Sequence, residues 1–275
     1  MPNYAWLSKW PSGTVFLSGT AVILYLLLSQ GTFYIPDTQL SGLAFFIGNP
    51  FALFSHLFVH VGVFHLVGNL IPLIAFALLL ELATSSFDVV GIFIFSGSLS
   101  AILFAVLNPG TAIVGASAAI AGMMGALTAL KPKQSVILLL AVPLFVSFVA
   151  IPYAATLQHK EEVKLVQAAQ VLQQNVTVLV QQNKTQEAAQ VNQSLQQVAQ
   201  QVQITQKGRE RERITPTDFF VHAYGAAFGI AYLFLFRRKK LYAAVGEYSH
   251  FFDFPRLGPL PWARKKPPAG KGRKV

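Results

Sequence analysis

Cysteine is absent from the 275 residues, which excludes thiol nucleophiles, disulfide scaffolds and thiolate metal sites. Charge is the second scarcity. Only 12% of residues are Asp, Glu, Lys or Arg, where a soluble domain carries about 25%. Acidic residues number 11 against 21 basic ones, for a formal charge of +10. The deficit is uneven: long apolar runs fill the chain up to about residue 156, and most charges come later. A 53% hydrophobic chain patterned in this way excludes an ordinary soluble core and reads as an all-α, polytopic membrane protein.

A bilayer core needs about 20 apolar residues per helix. Six runs qualify, at 14–30, 65–84, 89–107, 115–131, 134–156 and 217–236. The first, preceded by Lys9, has the alternative of a signal peptide, but five further spans and no small-residue cleavage pattern favour a retained helix. Basic residues set an expected orientation. Lys131 and Lys133 lie between the fourth and fifth runs, Arg237, Arg238, Lys239 and Lys240 follow the sixth, and Ser29 to His60 holds no Lys or Arg. Both termini are then expected in the cytoplasm, and the stretch before His65 outside. Eleven of the 21 Lys and Arg lie from Arg237 onward. This basic tail, 237–275, directly follows an apolar span, so anionic lipid headgroups are a better partner for it than nucleic acid.

Residues 157–214 differ in kind: Gln-rich and too polar to cross a membrane. Leu165, Ala169, Leu172, Val176 and Leu179 repeat in steps of three and four, as do Ala188, Val191, Leu195, Val198 and Val202. Two stripes broken near Gln181–Gln186 predict an antiparallel helical hairpin inserted between the fifth and sixth spans, with a Gln-rich irregular loop as the alternative. The same orientation places this insert outside. Sequons at Asn175, Asn183 and Asn192 all fall within it, which agrees with that side. The expected organisation is a membrane core of 1–156 and 215–236, the insert 157–214, and the tail.

Ionisable side chains inside a bilayer are costly and mark function. The runs contain His65 and His222, with Glu81 and Asp218 near run ends, and Ser117 opens the fourth inside Gly115-Ala116-Ser117-Ala118-Ala119-Ile120-Ala121-Gly122. A lone membrane serine usually bonds its own backbone, and a lone histidine usually packs. Together they offer more. Amide hydrolysis requires a nucleophile, a base and oxyanion donors. Ser117 and His222 suit the first two roles. His65 and Asn69, four apart on one helix face, suit the third, with the backbone N–H groups of a helix beginning at Ser117. Burial would keep His222 neutral, as a base must be.

Three stretches carry a family resemblance. Ser55-His56-Leu57-Phe58-Val59-His60, followed by His65 and Asn69, resembles the second-helix signature of rhomboid proteases. Gly115-Ala116-Ser117 resembles their nucleophile motif. His222-Ala223-Tyr224-Gly225-Ala226-Ala227-Phe228-Gly229 resembles their sixth-helix motif, a histidine followed by Gly at +3 and +7. The resemblance covers about 50–156 and 215–236. It implies a six-helix fold and a Ser–His dyad without a third acid or any cofactor. Ser117 would be the nucleophile and His222 the base, and His65, Asn69 and the Ser117 backbone would line the oxyanion hole. Gly225 and Gly229 would bring the sixth helix onto the fourth beside Gly115, in keeping with small residues at membrane helix contacts. The substrates implied are single-span membrane proteins. Two positions depart from the family pattern: Ala118 stands where Gly is common, and Ala121 where an aromatic ring usually packs on the base.

Other readings of the same residues are weaker. Thr215-Pro216-Thr217-Asp218 is a helix cap with Pro at the first helical position, which argues against Asp218 as a triad acid. His56, His60 and His65 lack the carboxylate or thiolate neighbours of a metal centre, so no metal is expected. Hydrogen bonding that orders the outer loop suits His56 and His60, and hydrogen bonding near a helix end suits Glu81. At this stage an active protease, a catalytically inactive rhomboid-like protein that binds membrane clients, and a histidine-based transporter all remain open. The transporter lacks a charged relay and an inverted repeat.

Overall fold

The computed structural model describes residues 10–214 and 219–251. Among them are ten α-helices and no strand, only isolated bridges. The order is α1 (Ser12–Ser29), α2 (Asp37–Leu43), α3 (Val63–Ala83), α4 (Ser86–Leu107), α5 (Ser117–Leu130), α6 (Pro132–Phe145), α7 (Ile151–Gln181), α8 (Thr185–Ile214), α9 (Phe219–Phe236) and α10 (Arg238–Phe251). Two 3-10 turns, Pro50–Leu53 and Ser55–Leu57, shape the connection into α3. The chain is an all-α integral membrane protein. Helices α1, α3, α4, α9 and the joined α6–α7 are each long and apolar enough to cross a bilayer. The cap expected at Thr215–Asp218 and the tail beyond residue 251 lie outside the described residues.

Local chemistry sets the helix boundaries. Ser85 caps α4: its Oγ accepts from the Asp88 backbone N–H at 3.2 Å and donates to Asp88 Oδ2 at 2.7 Å. The first of these bonds satisfies one backbone donor that the first turn leaves open, and the second fixes the Asp88 carboxylate beside it. Glu81, near the end of α3, caps α1. Its carboxylate accepts from the N–H groups of Gly13 and Thr14 at 2.9 Å each, and from Thr14 Oγ1 at 2.6 Å. The hydrogen-bonding role expected for Glu81 is thus filled at a helix N-terminus, where negative charge is also favoured.

Helix α5 is the centre of the bundle. It packs against α3, α4, α6 and α9. Met123, Ala126 and Leu127 on it are fully buried against Phe76 and Leu80 of α3 and Ile92 and Phe93 of α4. At 14 residues α5 is shorter than the 115–131 run, because Gly115 takes φ +107 and Ala116 serves as the cap. It measures about 21 Å, against a hydrocarbon core of about 30 Å.

The fifth span does not stop at residue 156. Pro132 to Gln181 is one continuous 50-residue helical rod, so the span and the first arm of the insert belong to one helix. Pro143 lies within it, and a π turn at Val146–Ala150 follows, the local adjustment expected where proline interrupts the hydrogen-bond ladder. This rod is peripheral: 11% of its most apolar window is buried, against 56% for α4.

Helices α7 and α8 form the hairpin predicted from the two stripes. Leu165, Ala169, Leu172, Val176 and Leu179 are half-buried on α7, and Ala188, Val191, Leu195, Val198 and Val202 are buried or half-buried on α8, while the Gln residues between them are mostly exposed. Asn183 ends α7 in the left-handed region at φ 57. The N–H of Asn183 bonds to Val180 O and that of Lys184 to Leu179 O, each at 3.0 Å, the paired closure of a Schellman turn.

Candidate active site

The closest helix pairing is that of α5 with α9, and glycine permits it. A Cβ at Gly229 would overlap the Gly122 carbonyl oxygen and lie 2.5 Å from its carbon. One at Gly225 would overlap the Ala118 oxygen, and one at Gly125 would lie 2.9 Å from Ala226 Cα. The two backbones therefore touch along about two turns of α5, which only residues without side chains allow. The register follows: Gly225 sits over Ala118 and Ala121, and Gly229 over Gly122. His222 precedes Gly225 by three residues and Gly229 by seven, so it shares their face of α9. That face and that register bring His222 level with the start of α5, where Ser117 is the first helical residue. Both side chains are half-buried.

His65 approaches the same point from α3. A Cβ at Gly115 would lie 2.6 Å from His65 Nε2, so the imidazole rests directly on the Gly115 backbone. Gly115 is thus required twice, by its φ of +107 and by this contact. The Val61 N–H donates to His65 Nδ1 at 3.4 Å. Nδ1 being the acceptor, the ring proton sits on Nε2, the nitrogen turned toward the Gly115–Ser117 loop. Asn69 is buried, and its Nδ2 donates to His65 O at 2.9 Å. The amide carries a second N–H beyond that bond. The first turn of α5 adds backbone N–H groups that the helix itself leaves without a carbonyl partner, at the positive end of the helix dipole.

The loop before α3 holds these parts together. The Gly115 N–H donates to His56 O at 2.8 Å, and His56 Nδ1–H donates to Ala52 O at 3.0 Å. His60 Nδ1–H donates to Phe58 O at 3.1 Å, and its ring meets His65 edge-on at 5.1 Å. Burial pushes His56 down to about 4 and His60 to about 3, so both are neutral at physiological pH. The loop-ordering role expected of these two residues matches these bonds.

Two contacts were missed by sequence reasoning. The first is the ion pair of Arg237 Nε with buried Asp88 Oδ1 at 2.7 Å, which ties the end of α9 to the start of α4. The second is the burial of Tyr34 under the hairpin base. Both join residues far apart in sequence and carry no local spacing signal. At the departure sites, Ala118 is buried under Gly225, and the Ala121 Cβ lies 3.2 Å from where a Gly225 Cβ would stand. Small side chains at both positions are part of the close pairing.

Residues 47–165 match the family model described as Rhomboid domain. That stretch of the chain is therefore similar to a rhomboid domain. The match includes His65, Asn69 and Ser117 and ends within α7, so α9 with His222 lies beyond it. Comparisons with curated proteins and with solved structures returned no match.

Proposed function

We propose that this protein is an intramembrane serine endopeptidase that cleaves membrane-spanning substrates by a Ser117–His222 dyad. The observation that supports the reading is the glycine register of α5 and α9, with Gly225 over Ala118, one residue after Ser117, and His65 Nε2 against Gly115. Ser117 Oγ attacks the scissile carbonyl carbon while His222 takes the hydroxyl proton. The oxyanion is held by His65 Nε2–H, the Asn69 amide and the Ser117 backbone N–H. Collapse breaks the C–N bond, and His222 returns the proton to the leaving amine. A water activated by His222 then hydrolyses the acyl-enzyme. No cofactor takes part in these steps.

The length of α5 suits this chemistry. If its Lys131 end lies at the cytoplasmic interface, a helix of about 21 Å leaves Ser117 roughly 9 Å below the opposite edge of a 30 Å core. A transmembrane peptide bond is then within reach. Both termini are cytoplasmic in this reading, the hairpin 157–214 is external, and the basic segment from Arg237 contacts anionic headgroups.

The test is a fluorescent fluorophosphonate on detergent-solubilised protein, beside cleavage of a single-span reporter. Ser117→Ala and His222→Ala each abolish labelling and lower cleavage by at least roughly 10⁴-fold. One observation favours a second reading, a non-catalytic protein that binds membrane clients: Ala121 supplies no ring to orient His222. Folded wild-type protein that binds a single-span client yet is never labelled would establish that alternative.

A further inference from the structure

The base of the hairpin is anchored on a loop distant from it in sequence. Tyr34 is fully buried. Its hydroxyl accepts from Gln158 Nε2 at 3.1 Å, and Gln158, on α7, is itself 2% exposed. On the α8 side the Tyr34 ring lies against Gly208, where an added Cβ would overlap Cβ and Cγ of the tyrosine. An ion pair between Arg209 and Glu162 closes the two arms beside this contact. Tyr34 is thus gripped between α7 and α8.

The residue so held is linked through the backbone to the candidate oxyanion site. Tyr34 forms an antiparallel bridge with Gly62. The Ile35 N–H donates to Val61 O at 2.9 Å, and the Val63 N–H donates to Phe33 O at 3.0 Å. Val61 in turn supplies the N–H that fixes the His65 tautomer. The path from the hairpin to His65 is therefore Gln158 and Gly208, then Tyr34, then the bridge, then the first turn of α3. Each step is a packed contact or a backbone hydrogen bond.

We infer that Tyr34, gripped by Gln158 and Gly208, is a positioning residue through which the hairpin insert holds His65 in place for oxyanion stabilisation. The inference rests on the proteolytic reading above. The insert is then a brace for the site as well as an appendage. Because α7 continues the fifth span without a break, the brace also links that peripheral rod to the loop before α3.

The experiment uses the full chain carrying Tyr34→Phe, Gln158→Leu or Gly208→Ala. Fluorophosphonate titration counts active sites, so kcat is expressed per titrated serine, and hydrogen exchange is followed at the Ile35 and Val63 amides. An oxyanion donor acts in the transition state. The expected result is a fall in kcat per site of roughly tenfold or more for Gly208→Ala, with KM within about twofold. Tyr34→Phe and Gln158→Leu give smaller falls in the same direction, and exchange at Ile35 and Val63 quickens in all three. A purely structural contact would lower the number of titratable sites and leave kcat per site unchanged, and that outcome overturns the inference. If Gly208→Ala does not fold, Tyr34→Phe decides: native exchange and native kcat per site overturn the inference. Wild-type protein that is folded but unlabelled sinks the proteolytic reading and the positioning role with it. In that case the exchange measurement still shows whether the hairpin holds the bridge.

Discussion

Substituting Gly229 by alanine tests whether glycine packing sets the geometry of the site. The added methyl would stand 2.5 Å from the carbonyl carbon of Gly122, whereas carbon atoms rest at about 3.5–4.0 Å. The obstacle is helix backbone, which cannot rotate aside as a side chain does. Helices α5 and α9 must therefore part by roughly 1 Å or more. Overpacking of this kind costs about 1–3 kcal/mol. A displacement of that size between a nucleophile and its base costs about 100-fold in rate. Gly19→Ala in α1 is the control, since nothing lies within 4 Å of its added methyl. There the better helix propensity of alanine stabilises by up to about 1 kcal/mol. Thermal unfolding in detergent and reporter cleavage are measured for both variants. Gly229→Ala protein with native stability and native cleavage rate would refute the close-packing argument, whatever the behaviour of the control.

Other expectations follow from contacts elsewhere in the bundle. Glu81→Gln removes the charge from three hydrogen bonds at the start of α1 and lowers stability by about 1–3 kcal/mol; an unchanged unfolding temperature counts against the capping role. His56 at about 4 and His60 at about 3 lie below the ordinary 6.5, so the unfolded loop binds more protons than the folded one. Their contribution to stability is complete above about pH 6.5 and declines as pH falls toward 4, by roughly 1.4 kcal/mol per histidine at pH 5.5. Unfolding temperatures that stay flat between pH 7.5 and 5.5, with recovery confirmed on return, would contradict this. With the hairpin external, protease added to intact cells cuts near the exposed Asn183 turn and leaves the basic segment after Arg237 intact; cleavage confined to inverted vesicles reverses the orientation.

Much of the helical organisation was legible because it follows from solvent. Apolar runs of span length predict helices wherever backbone groups have no water to bond with, and the runs at 14–30, 65–84 and 89–107 match α1, α3 and α4 within three residues. The hairpin was legible because two amphipathic stripes have only one another to pack against. The run at 115–131 matches α5 within two residues as well, but hydropathy does not register that Gly115 turns left-handed against His65. The continuity of the rod through residue 157 was also missed: polarity changes there while the helical hydrogen-bond ladder does not.

The sequence by itself determined the class of protein, the identities of the chemical groups and their order along the chain, because each depends on local composition or short spacing. Gly225 and Gly229 could be assigned to one face from their interval alone. Only the tertiary structure decided how α5 and α9 are offset, which nitrogen of His65 faces Gly115, and that Tyr34 lies between the arms of the hairpin. These are contacts between residues tens to more than a hundred positions apart. They depend on which surfaces meet once the helices pack, and periodicity records only that a surface exists.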